Sequence, residues 1–180
     1  MIWFTLLILL TGIERIWELV LSNRNARWAL ARGGREFGQR HYPYMVVLHT
    51  GFLLGCIAEV YLGDRPFIPW LGWPMLVIAI ACQGLRYWCI GVLGRQWNSR
   101  IIVVPGLGRV TRGPYRFLPH PNYLVVIAEG IAPPLVHTAW VTAMVFTVLN
   151  AILLFGFRIP AEERALRALD APAPLDRHDV

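Results

Sequence analysis

The chain has 180 residues, 56% of them hydrophobic, against roughly 45–50% in an ordinary soluble domain, and its mean hydropathy is +0.49. All 17 basic residues are arginine, with no lysine anywhere; against 11 acids they give a formal net charge of +6. The arginines fall between apolar blocks rather than over a polar domain, which excludes a nucleic-acid binder and favours membrane lipid headgroups or another anionic ligand.

A helix needs about 20 apolar residues to cross a bilayer. Five stretches are expected to do so, at residues 2–21, 43–62, 70–93, 123–135 and 139–157. Together they make one all-α integral membrane domain over 1–168, followed by a disordered Ala-, Pro- and Asp-rich tail over 169–180. The first stretch has no basic leader and no Ala-x-Ala site, so it reads as a retained span and not a signal peptide. Within it, Glu14 and Glu18 share a helical face beside Arg15. An internal ion pair that docks this helix is expected, with Arg86 as a further partner.

The loop that follows carries Arg24, Arg27, Arg32, Arg35 and Arg40, with Gly33-Gly34 and Gly38 as punctuation. His41-Tyr42-Pro43 leads into the second span, which holds His49. Two histidines without a third ligand do not make a metal site, so hydrogen bonding or substrate contact is expected of them. The third span holds Arg86 and two of the three cysteines, Cys82 and Cys89; with Cys56 they read as small core residues. Trp3, Trp17, Trp70, Trp73 and Trp97 lie near span ends, as interfacial belt residues do.

The next loop is again rich in arginine, at Arg95, Arg100, Arg109, Arg112 and Arg116, while residues 63–69 and 136–138 are poor in it. That alternation predicts an outside N-terminus and a cytoplasmic C-terminus. Residues 101–104 and 109–111, flanking Pro105-Gly106-Leu107-Gly108, are expected to form a short hairpin. The fourth span ends in Pro133-Pro134, which implies a tight hairpin with the fifth. Glu129, six residues beyond Tyr123 and with no basic neighbour in sequence, is a lone carboxylate that reads equally as structural or as a candidate general base.

Gly106, Gly108 and Gly113 do not make Gly-x-Gly-x-x-Gly, and neither a Walker pattern nor a Gly-x-Ser-x-Gly elbow is present. What remains is an ordered trio: Gly113-Pro114-Tyr115-Arg116, then His120-Pro121-Asn122-Tyr123 opening a helix, then Arg158 with Glu162-Glu163. Pro121 suits a first helical turn, and the residue before it is pushed toward extended geometry, which presents the His120 ring at the helix mouth. A helix N-terminus with an arginine and two glutamates nearby supplies both charges. Such a site fits a zwitterion that carries a carboxylate, an amine and a ribose.

On these residues, together with Arg86, Trp88 and Trp97, the chain from about residue 83 to 169 resembles the isoprenylcysteine carboxyl methyltransferase family of membrane enzymes. The resemblance implies that S-adenosylmethionine binds at the cytoplasmic end of the C-terminal half, on Gly113, Tyr115, His120, Pro121, Tyr123, Arg158, Glu162 and Glu163. It also implies a lipophilic acceptor arriving from the bilayer, with His41, His49, Arg86 and Trp97 expected to contact it and Glu129 and Arg158 expected to be catalytic. Pro119 stands where the family usually has arginine before His-Pro. The N-terminal half is similar to a bacterial branch of the family through Glu14-Arg15, Arg24-Asn25, Gly33-Gly34, His41-Tyr42-Pro43 and Leu48-His49. Members of that branch are often encoded beside type III polyketide synthases, which implies methylation of an alkylpyrone or alkylresorcinol hydroxyl, besides the prenylcysteine carboxylate of the wider family. A bacterial plasma-membrane location follows. The alternatives are an NADPH-dependent membrane sterol reductase, a phospholipid N-methyltransferase and a non-enzymatic bundle.

Overall fold

A computed structural model describes residues 1–170. Its element order is α1 (Ile2–Leu30), β1 (Arg35–Phe37), α2 (Tyr42–Leu62), α3 (Pro69–Leu93), β2 (Ile101–Val103), α4 (Pro121–Leu135), α5 (Trp140–Leu153) and α6 (Ile159–Asp170). A π-helical turn, Leu154–Arg158, joins α5 to α6 without a break. Residues 171–180, most of the expected disordered tail, lie outside the described residues, while 169 and 170 belong to the last turn of α6.

Among the described residues, three helical stretches are long and apolar enough to cross a membrane: Gln39–Leu62, Pro69–Gln96 and Trp140–Arg167. The first and fourth expected spans are also helices, but of different character. α1 runs nine residues past the expected end at 21, so Arg24 and Arg27 lie on its final turns rather than in a loop. Helix-favouring residues such as Ala26, Trp28, Ala29 and Leu30 continue the apolar pattern through the arginines, and nothing breaks it before Gly33. α4 has 15 residues, about 22 Å at ~1.5 Å per residue, against a hydrocarbon core of about 30 Å.

Prolines mark the helix starts, with Pro43, Pro69 and Pro121 in first turns, where a missing N–H costs nothing. The N-terminus of α5 is capped from another helix. Glu59 of α2 accepts the backbone N–H groups of Val141 (3.1 Å) and Thr142 (2.7 Å) and pairs with Arg65 at 3.0 Å. At that end of the bundle Phe4, Ile8, Phe52, Cys56, Val60, Val136, Ala139 and Phe146 form the main apolar core.

α4 and α5 make the expected tight hairpin. The turn closes at Thr138, in the left-handed region at φ 55°, whose hydroxyl donates to the Pro66 carbonyl at 2.7 Å.

The expected 101–111 hairpin does not form. Residues 101–103 pair instead with the first loop, antiparallel, in the register Arg35↔Val103, Glu36↔Ile102 and Phe37↔Ile101. The β-branched run at Ile101-Ile102-Val103 was legible as a strand, but its partner lies far off in sequence. The apolar side of this ribbon, Ile101 with Phe37 and Val103, packs on Ala161 and Ala165 of α6. A small sheet thus ties both arginine-rich loops to the helix carrying Glu162.

Candidate active site

His120 is the residue before α4, at φ −133° and ψ 63°, and Pro121 is buried as the first residue of the helix. Both ring nitrogens of His120 face carboxylates: Nε2 lies 2.8 Å from Glu163 and Nδ1 3.5 Å from Glu162. Two acceptors facing both nitrogens favour the imidazolium. The hydrogen bond to Glu162 raises the pKa of His120 above its ordinary value, against the opposing effect of burial. The His120 ring stacks on Tyr123, one turn along α4, with centroids 5.3 Å apart.

Tyr123 links the two halves of the site. Its hydroxyl accepts from Nε of Arg158 at 3.1 Å and donates to Glu162. Arg158, 7% exposed, also donates to the Ser99 carbonyl at 2.6 Å and lies 3.4 Å from the Met45 sulfur. All three guanidinium nitrogens therefore have partners within the protein. The π turn ends on this residue, and such a turn widens the helix locally and often marks functional sites. The sequence reading put Arg158 after the last span; in the structure it lies within one continuous helix, with Glu162 a turn beyond.

These residues open onto one half-open cleft of about 170 Å³. Its lining includes Trp97, Asn98, Arg100, Tyr115, Pro119, His120, Asn122, Tyr123, Arg158 and Glu162, with Trp28, Arg95 and Arg109 among the others. Tyr115 sits in the 3-10 turn Gly113–Arg116, and burial holds its phenol far above the usual range, as a neutral hydroxyl. Gly113 starts that turn at φ 58°, and a Cβ there would come 2.7 Å from Val92. Its contribution is conformational, and it does not line the cleft. Glu163 acts through its bond to His120.

The structure corrects two expectations. Glu129 is no lone carboxylate: it is bound by Arg86 and lies 3.5 Å from Arg15. Arg15 in turn pairs with Glu18 at 2.9 Å and Glu14 at 3.4 Å, and Arg86 reaches Glu18 at 3.6 Å. Glu129 had no basic neighbour in sequence because its partners come from α1 and α3. The ion pair expected on the first helix is therefore a five-residue cluster joining α1, α3 and α4. Trp97 is no belt residue, being 4% exposed and on the cleft wall. His41, His49 and Arg86, expected to contact the acceptor, stand apart from this cleft. His49 is 2.8 Å from the Met45 carbonyl and packs edge-on against Phe146, and His41 lies against Gly38.

Asn122 was overlooked, although it stands inside the His-Pro-Asn-Tyr motif. It lines the cleft, and its Oδ1 is buried without a hydrogen-bond partner among the described residues. A buried carbonyl oxygen of this kind calls for a donor. Ser99 was overlooked as well, since its contribution is a backbone carbonyl.

The sequence pattern of the isoprenylcysteine carboxyl methyltransferase (ICMT) family matches residues 75–168. Among curated proteins, the chain is 41% identical over 165 residues to "Uncharacterized protein YpbQ" of Bacillus subtilis, covering 91% of this chain and 96% of that protein. It is 27% identical over 158 residues to an "Uncharacterized protein" of Haemophilus influenzae, covering 86% and 90% respectively. No solved structure matches the chain. The matched stretch runs from α3 through α6 and includes every residue of the His120–Tyr123–Arg158–Glu162 array, and on that ground the chain belongs to the isoprenylcysteine carboxyl methyltransferase family.

Proposed function

We propose that this protein is a multi-pass membrane methyltransferase that takes its methyl group from S-adenosylmethionine and delivers it to a lipophilic acceptor. One observation carries the reading: the head of α4 and the π turn with α6 converge on one cleft, in a chain of a methyltransferase family.

The donor set fits the group. The bound cofactor would supply an electrophilic methyl on a sulfonium, beside an amine, a carboxylate, a ribose and an adenine. Glu162, already accepting from Tyr123 and next to protonated His120, keeps acceptor capacity for an amine or a ribose hydroxyl. The orphaned Oδ1 of Asn122 accepts a further donor. Arg158 holds Tyr123 and the Ser99 carbonyl in place and adds positive charge for a carboxylate. Tyr115 and Trp97 supply a neutral hydroxyl and an aromatic wall.

Methyl transfer is an in-line displacement, so most of the acceleration comes from holding the two reacting atoms in line at about 3–3.5 Å in a water-poor site. A carboxylate acceptor, as in prenylcysteine, needs no base. An alkylpyrone or alkylresorcinol hydroxyl does better with one. Glu129, held by two guanidiniums, is read here as an anchor of the helices rather than that base. The acceptor's tail lies in the bilayer-facing part of the bundle, and the cleft faces the cytoplasm of a bacterial plasma membrane. A functional link to a type III polyketide synthase would supply the hydroxyl-bearing acceptor.

The test has two arms. S-adenosylhomocysteine, but not NADPH, should raise the unfolding temperature of the purified protein, and Arg158→Ala and Glu162→Ala should abolish that rise while remaining folded. Labelled methyl from S-adenosylmethionine should then appear in an organic extract, compared between alkylpyrones, prenylcysteine and phosphatidylethanolamine. Stabilisation by NADPH alone would overturn the reading in favour of a reductase.

A further inference from the structure

The cleft wall formed by residues 97–100 has no regular secondary structure, lying between a 3-10 turn, Gly94–Gln96, and β2. Buried backbone groups in such a segment need partners from elsewhere. The Ser99 carbonyl is taken by Arg158 at 2.6 Å. The Trp97 carbonyl accepts from Nδ2 of Asn25 at 2.7 Å, and the same nitrogen lies 3.3 Å from the Gly94 carbonyl. The Ser99 N–H donates to the hydroxyl of Ser22 at 3.0 Å. Ser22 and Asn25 are one turn apart on α1 and are 1% and 4% exposed. Both lie outside the stretch that matches the family pattern, which starts at residue 75.

The hydroxyl protons around Ser22 have one consistent arrangement. Ser22 has a single proton, which it gives to Oδ1 of Asn98 at 2.8 Å. In its 2.7 Å contact with Ser99 it must therefore accept, so the Ser99 hydroxyl donates. That leaves Tyr42 as donor to Ser99 at 3.1 Å. Asn98 returns Nδ2 to the Ser22 carbonyl at 3.2 Å and accepts the Arg100 N–H at 2.9 Å. Each proton in the chain is donated once in a compatible sense, from α2 through the wall to α1.

We infer that Ser22 and Asn25 of α1 are positioning residues that hold the 97–100 wall of the cleft against Arg158. As a functional claim this rests on the donor-site reading above; as a structural one it stands without a ligand. α1 touches the cleft through Trp28 and Ala29 near its end, yet through Ser22 and Asn25 it sets the wall at Trp97, Asn98 and Ser99.

The experiment compares wild type with Ser22→Ala, Asn25→Ala and the milder Tyr42→Phe, in lipid nanodiscs. Thr11→Ala serves as control, since that hydroxyl bonds only its own helix, at the Leu7 carbonyl. Amide hydrogen exchange without ligand should speed up at residues 97–100 in Ser22→Ala and Asn25→Ala, with α3 and α4 unchanged. Titration with S-adenosylhomocysteine should show binding weakened roughly 5–100-fold in those two variants, as expected when a buried partner is removed. Tyr42→Phe should give a smaller loss, and Thr11→Ala none. Unchanged exchange at 97–100, or equal losses in the Thr11 control, overturns the inference. Faster exchange in the variants together with no binding by wild type supports the positioning role and refutes the donor-site reading.

Discussion

At the scale of single residues, the site depends on relays rather than on free charges. The Tyr123 hydroxyl joins Arg158 to Glu162, accepting from one and donating to the other. Tyr123→Phe removes that atom and little volume, so S-adenosylhomocysteine affinity should fall about tenfold, as expected for a buried hydrogen-bonded hydroxyl; calorimetric titration reads it, and unchanged affinity would rule the relay out. His120 gives a pH dependence of known sign. Its folded pKa is raised from 6.5, chiefly by the hydrogen bond to Glu162. The stabilisation is therefore complete below the unfolded value and is lost as pH rises through the folded one. The unfolding temperature should fall as pH rises above the ordinary histidine value, and His120→Gln should flatten part of that fall.

That His120, Tyr123, Arg158 and Glu162 would gather was largely legible, because they are polar types placed between apolar blocks. How they are joined was not. Glu129 showed no partner in sequence, since arginines from two other helices supply it. Trp97 had the residue type and span-end position of a belt tryptophan, and only its burial says otherwise.

At the scale of elements, the chain advertised its helices and turns well and its long-range pairing badly. Prolines at helix starts and the tight α4–α5 hairpin were readable, although Pro133 and Pro134 lie inside α4 and the turn closes at Thr138. The β1–β2 register was not, because residues 101–103 alone do not name their partner. Nor was the π turn, since Leu154–Arg158 is as apolar as any α-helical stretch. The α4–α5 hairpin brings His120 and Glu162 together, and its two helices come into close contact at Gly130. A Cβ there would stand 2.7 and 2.8 Å from two carbons of the Phe146 ring. Gly130→Val should therefore destabilise the protein by about 1–3 kcal/mol and weaken S-adenosylhomocysteine binding in parallel. Denaturant unfolding and titration on the same preparation check both.

At the scale of the whole molecule, α1 is joined to the rest through buried ions. Arg86, 4% exposed, serves both Glu129 and Glu18. Arg86→Met leaves those carboxylates to Arg15 alone and should cost about 3–5 kcal/mol, the usual loss when one member of a buried pair is removed. Arg86→Met combined with Glu129→Leu should recover part of it. A loss below about 1 kcal/mol in the single variant would mean that the cluster is not what anchors α1.

The unbroken run from α5 through the π turn into α6 makes the last apolar helix and Glu162 parts of a single rod, Trp140–Arg167. A rod leans when the surrounding hydrocarbon thins and straightens when it thickens. Acyl-chain length should thus reach the cleft mechanically: turnover measured across a series of lipids should peak at one thickness, with the KM for S-adenosylmethionine shifting on either side of it.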